Sequence, residues 1–66
     1  NSKVFANEGQ IVVLNAHEGD EIVVTDIAGR VVLKENARAM KTILNNNLNS
    51  GIYIVTVEGV ATKIVL

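Results

Sequence analysis

Apolar and polar residues along this chain change places in short blocks, and no 11-residue window keeps a convincing helical period; Glu35 to Leu44 comes nearest. From Ile52 to Val57 every residue except Thr56 is apolar, and four are β-branched aliphatics. That composition suits a strand with apolar residues on both faces, central in a sheet or inside a sandwich. A two-residue period puts Tyr53, Val55 and Val57 on one face and Ile52, Ile54 and Thr56 on the other, the first being the drier. The preceding Leu48-Asn49-Ser50-Gly51 adds a leucine and a tight glycine turn just before a tyrosine. Sandwich domains use this arrangement as a tyrosine corner, with the phenol bonded to backbone a few residues upstream. The plainer reading is a tyrosine half-buried at a strand start. Under both readings Tyr53 is structural rather than catalytic.

The other blocks read as strands of the same short kind. Lys3 to Ala6 forms a first, Gln10 to Leu14 a second, Glu21 to Thr25 a third and Val31 to Lys34 a fourth. Met40 to Leu44 forms a fifth, the Ile52 block a sixth and Ala61 to Leu66 a seventh. Prolines are absent, so five glycines punctuate the chain: Gly9, Gly19, Gly29, Gly51 and Gly59. The long interval between Gly29 and Gly51 should hide one further turn, for which Glu35-Asn36-Ala37-Arg38 is the polar candidate. Asn45-Asn46-Asn47 should turn as well, because asparagine side chains compete for backbone bonds. Asp26-Ile27-Ala28-Gly29-Arg30 reads as a hairpin connection, with Asp26 accepting from turn amides and Gly29 taking positive φ. Seven short strands without a firm helix predict an all-β fold, a small antiparallel β-sandwich.

Sixty-six residues make a single domain, 1–66, with a thin core. There is no cysteine to staple it. A net charge of −1 argues against a nucleic-acid partner, which requires a basic stripe, and Phe5 and Tyr53 alone offer no base-stacking platform. No apolar run approaches the length of a membrane span or a signal peptide. The abrupt start at Asn1-Ser2 reads as a piece of something longer.

Candidate chemistry is sparse. His17 is the only histidine and lies beside Glu18 and Asp20 in the expected turn Ala16 to Asp20. Such a group is more often a solvated loop than a metal site or a general base, which need groups converging in a pocket. The hydroxyls of Ser2, Thr25, Thr42, Ser50, Thr56 and Thr62 have no evident base partner. Gly29-Arg30 lacks the glycine-rich spacing of a phosphate loop, and an arginine after a hairpin turn is usually solvated or ion-paired. No active site, metal or cofactor is expected, and the chain reads as a non-enzyme.

Three segments together carry a resemblance. Asp26-Ile27-Ala28-Gly29-Arg30-Val31-Val32, Leu48-Asn49-Ser50-Gly51-Ile52-Tyr53-Ile54-Val55 and Lys63-Ile64-Val65-Leu66 resemble the C-terminal sorting domains of the type IX secretion system of Bacteroidetes. The likeness runs over nearly the whole chain from Gln10 onward. The family's Pro-Asn-Pro start is missing, as is the basic residue that often ends these domains. The resemblance implies an immunoglobulin-like sandwich of seven strands. It also implies a non-catalytic secretion signal that carries cargo through the outer membrane to the cell surface or extracellular space. An outer-membrane β-barrel shuttle and a surface sortase would be its partners, and the sortase usually removes the domain. Carried over position by position, the recognition residues would be Gly29, Arg30, Gly51, Tyr53, Lys63, Ile64, Val65 and Leu66.

Sheet physics points the same way. The last strand has only Lys63 as a charged guard, which makes it an edge that a partner can extend by strand addition or that a second copy can use to form a homodimer, by pairing or by exchanging a strand. A rival reading is an immunoglobulin-like spacer or adhesion module of a bacterial surface protein. A carbohydrate-binding module is less apt, because such modules present exposed aromatic rings and the one Tyr here is expected to be internal.

Overall fold

The apolar blocks pair into two antiparallel sheets in a computed structural model, which describes residues 2–38, 40–44 and 47–66. Strands β1 (Lys3–Asn7), β2 (Gln10–Leu14) and β5 (Lys41–Leu44) form one sheet in the order β1-β2-β5. Strands β3 (Glu21–Asp26), β4 (Val31–Asn36), β6 (Ile52–Val57) and β7 (Val60–Val65) form the other, in the order β4-β3-β6-β7. Consecutive strands join within a sheet by hairpins, while β2–β3, β4–β5 and β5–β6 cross between sheets. This is the Greek-key wiring of an immunoglobulin-like sandwich, and it places β6 centrally, between β3 and β7. Among the described residues no helix is long and apolar enough to cross a membrane.

The core is built from the alternate residues that each strand turns inward. Ile22 and Val24 of β3, Tyr53, Val55 and Val57 of β6, and Ile64 of β7 meet Ile11 and Val13 of β2 and Leu44 of β5. The drier face of β6 is the inward one, as its pattern predicts. Its other face is only partly covered, and Ile52 stands 41% exposed. Val12 has the opposite history: it lies on the outer side of β2 yet is buried, because its cross-strand partners Phe5 and Ile43 flank it. Thr42 is the one polar residue buried in this core among those described, and its hydroxyl accepts from the Arg38 backbone N–H at 2.8 Å.

Two hairpins turn over a Glu-Gly pair, Glu8-Gly9 between β1 and β2 and Glu58-Gly59 between β6 and β7. Both residues of each pair have positive φ, the combination that matches the twist of the flanking strands. The polar stretch expected to turn at Glu35 does not do so. Glu35 and Asn36 continue β4 opposite Ile22 and Glu21, and the chain leaves the sheet only at Ala37, which is buried. The weak helical period between Glu35 and Leu44 likewise gives strand ends and a connection. Of the expected asparagine turn, Asn45 and Asn46 lie outside the described residues, and Asn47 is exposed coil.

Candidate functional site

The three segments that carry the resemblance come together at one end of the four-stranded sheet. The ladder pairs Asp26 of β3 with Tyr53 of β6, and Tyr53 with Ile64 of β7. One step outward Ile52 pairs with Val65, and beyond it Gly51 and Leu66 exchange backbone bonds of 3.0 and 2.8 Å. The Asp26–Arg30 loop closes the same end.

Asp26 organises that loop. One carboxylate oxygen accepts from the backbone N–H groups of Ala28 and Arg30, and the other from Arg30 Nε at 3.0 Å. The Arg30 backbone N–H, ahead of the Ala28 N–H and the Arg30 charge, holds the Asp26 carboxyl below its ordinary range, against a smaller opposing effect of burial. Gly29 sits at φ +86° with open space where a Cβ would be, so its requirement for glycine is conformational and not steric.

Position divides the eight expected recognition residues into two groups. Tyr53 forms the tyrosine corner, its hydroxyl donating to the Asn49 carbonyl at 2.8 Å. Gly29 shapes a turn, Gly51 extends the β6–β7 ladder, and Ile64 is core. Arg30, Lys63 and Val65 are exposed at the same end, and Leu66 is half-buried. Beside them stand the exposed apolar residues Ile27, Val31 and Ile52. The result is an apolar surface carrying two cations. Arg30 is tied to Asp26, whereas Lys63 has no ion-pair partner among the described residues.

The opposite end of the same sheet is acidic. His17 Nδ1 lies 3.1 Å from Glu58 Oε2 and 3.6 Å from Asp20 Oδ2, while the His17 backbone N–H donates to that same Asp20 oxygen at 2.9 Å. The bond to Glu58, then the negative charges of Glu58 and Asp20, raise the His17 pKa above 6.5. Glu18, the other acid expected beside His17, is exposed and takes no part. Glu58 is the residue that sequence reasoning misses, since it is 41 positions away and only the register of β3, β6 and β7 delivers it. Asp20 and Glu58 also line a shallow cleft with Glu21, Val23, Thr56 and Gly59.

No curated protein and no solved structure matches this chain. A family model does match, over residues 1–66, and the chain therefore belongs to the family described as a domain of unknown function, DUF6383.

Proposed function

We propose that this domain is a non-catalytic C-terminal secretion signal. In this reading it directs a cargo protein of a Bacteroidetes bacterium across the outer membrane through the type IX secretion system, is recognised by the shuttle and sortase components, and is usually cleaved off. It passes through the periplasm on the way to the cell surface or extracellular space. The observation that carries the reading is the convergence of three separate segments on one end of a single sheet. Turn and corner residues there hold the backbone, Lys63 and Val65 present side chains on β7, an edge strand, and Arg30 is exposed in the β3–β4 loop at the same end of the sheet. An edge strand offers unpaired backbone groups for strand addition, and the alternate outward side chains supply selectivity.

The test is a secretion assay with this segment fused behind a periplasmic reporter, in a Bacteroidetes host with and without a working type IX translocon. Export that depends on the translocon supports the sorting role. A folded reporter trapped in the periplasm of both strains refutes it and favours an immunoglobulin-like spacer or adhesion module. Removing β7 outright is a poor variant, because Ile64 would leave the core with it. Lys63→Glu with Val65→Ser alters only exposed positions and should abolish export while leaving the melting curve close to the parent's.

A further inference from the structure

The acidic end of the sandwich brings a set of donor atoms together that the sorting role does not use. His17 Nδ1, Asp20 Oδ2 and Glu58 Oε2 all lie within 4.8 Å of one another, and they are the group of this kind among the described residues. Two of the separations are 3.1 and 3.6 Å. A zinc ion holds nitrogen and carboxylate oxygen at about 2.0–2.2 Å in a tetrahedron, which places neighbouring donors roughly 3.3–3.5 Å apart. Two separations lie close to that edge, and the two carboxylate oxygens, within 4.8 Å of each other, would draw together on an ion.

The donors are also arranged for a cation. Asp20 is held by the His17 backbone N–H, which fixes one carboxylate against its own loop. Glu58 comes from the β6–β7 turn, so the set joins two segments and does not reside within one flexible loop. A cleft of about 270 Å³ adjoins two of the three donors, Asp20 and Glu58. Glu18 and Glu21 add negative charge nearby, and Glu21 is paired with Lys34 at 3.8 Å.

We propose that His17, Asp20 and Glu58 bind a divalent zinc ion with one nitrogen and two carboxylate oxygens, clamping the loop between β2 and β3 to the β6–β7 turn. A mixed nitrogen and oxygen set selects zinc over calcium and magnesium, which take oxygen ligands and demand more of them. Three ligands on an open surface give a weaker site than a closed four-ligand one. Binding requires the imidazole to give up its proton, so affinity falls at low pH.

Isothermal titration of zinc chloride into the chelator-treated domain tests this. One zinc per chain is expected, with a dissociation constant in the micromolar range, and the His17 ring signals should shift in parallel. His17→Ala and Glu58→Gln should each weaken binding by at least about tenfold, because the first removes one donor of three and the second replaces an anionic oxygen donor by a neutral, weaker one. Both side chains lie on the surface, so far-UV circular dichroism should show the variants folded. Glu18→Gln, which changes nearby charge but no donor, should stay within about twofold of the parent, a distinction between ligation and diffuse attraction. Absence of zinc binding overturns the proposal. So does binding that His17→Ala leaves unchanged, or calcium binding as tight as zinc.

Discussion

Replacing Tyr53 with phenylalanine removes one oxygen atom and isolates what the tyrosine corner contributes. The ring is buried, 9% exposed, and its packing against the core survives the change. What disappears is the 2.8 Å bond to the Asn49 carbonyl. A neutral hydrogen bond contributes a net ~0.5–1.5 kcal/mol, and a stranded buried acceptor would add to the loss. Asn49 is exposed, so water can reach its carbonyl, and the expected cost stays near 1 kcal/mol. For a domain of this size each kcal/mol moves the melting point by about 4–8 °C, which is the drop expected here. A chain of 66 residues has a total stability of only about 3–10 kcal/mol, so Tyr53→Phe should remain folded at room temperature. Tyr53→Ala also removes the ring, at roughly 3–5 kcal/mol, and should lower the melting point several times as far as Tyr53→Phe. Thermal melts followed by far-UV circular dichroism read both variants. A Tyr53→Phe melting point within about 1 °C of the parent would refute the argument that this bond holds the β5–β6 connection against the sheet.

Gly29→Ala should destabilise the domain by roughly 1–2 kcal/mol in urea titration, entirely through the left-handed backbone, since an added Cβ there meets nothing within 4 Å. Asp26 titrates below its ordinary value of 3.8, so its contribution is complete above that value and disappears as pH falls through and below it. Asp26→Asn should lower the melting point at neutral pH and flatten the acid limb of the curve of melting point against pH. His17 behaves with the opposite sign: its pKa is raised, so the stabilisation by Glu58 and Asp20 is complete below 6.5 and is lost as pH rises through the folded-state value. In metal-free buffer, an NMR titration of the ring should give a midpoint above 6.5, and Glu58→Gln should bring it down. Equal midpoints in parent and variant would mean that the pair does not form in solution.

Much of this architecture is legible in the chain because short, densely apolar blocks bounded by glycine and polar turns announce themselves as strands. β2, β3 and β6 carry dense β-branched residues, and Asp26 and Tyr53 mark their own turn and corner through local bonds. The end of β4 is different. Lys34, Glu35 and Asn36 lie in an edge strand, where one side of the backbone has no neighbour and polar residues are tolerated, so no alternation marks the strand's continuation. The His17–Glu58 pair was unreadable for a stronger reason. Nothing local to either residue refers to the other, and their meeting is fixed by the stacking of three strands. Similarly, the eight residues expected to act in recognition share a motif pattern in sequence, but only the fold separates turn-formers and core residues from exposed side chains.

The wiring of the sandwich also governs how it can be assembled. Three of its strand pairs, β1–β2, β3–β4 and β6–β7, close over short loops and can form early at small entropic cost. The two remaining seams, β2–β5 and β3–β6, join distant parts of the chain; Thr25 reaches across the second to the Ile54 carbonyl from 29 positions away. Until that seam closes, Ile22, Val24 and Val55 have nothing to bury themselves against, and two hairpins with wet edges drift apart as readily as they meet. A fold dominated by such remote pairing belongs among the slow folders, on timescales of milliseconds to seconds. Both remote seams must close before the core is complete, and at the outer end of the β3–β6 seam Asp26 and Tyr53 stand opposite each other.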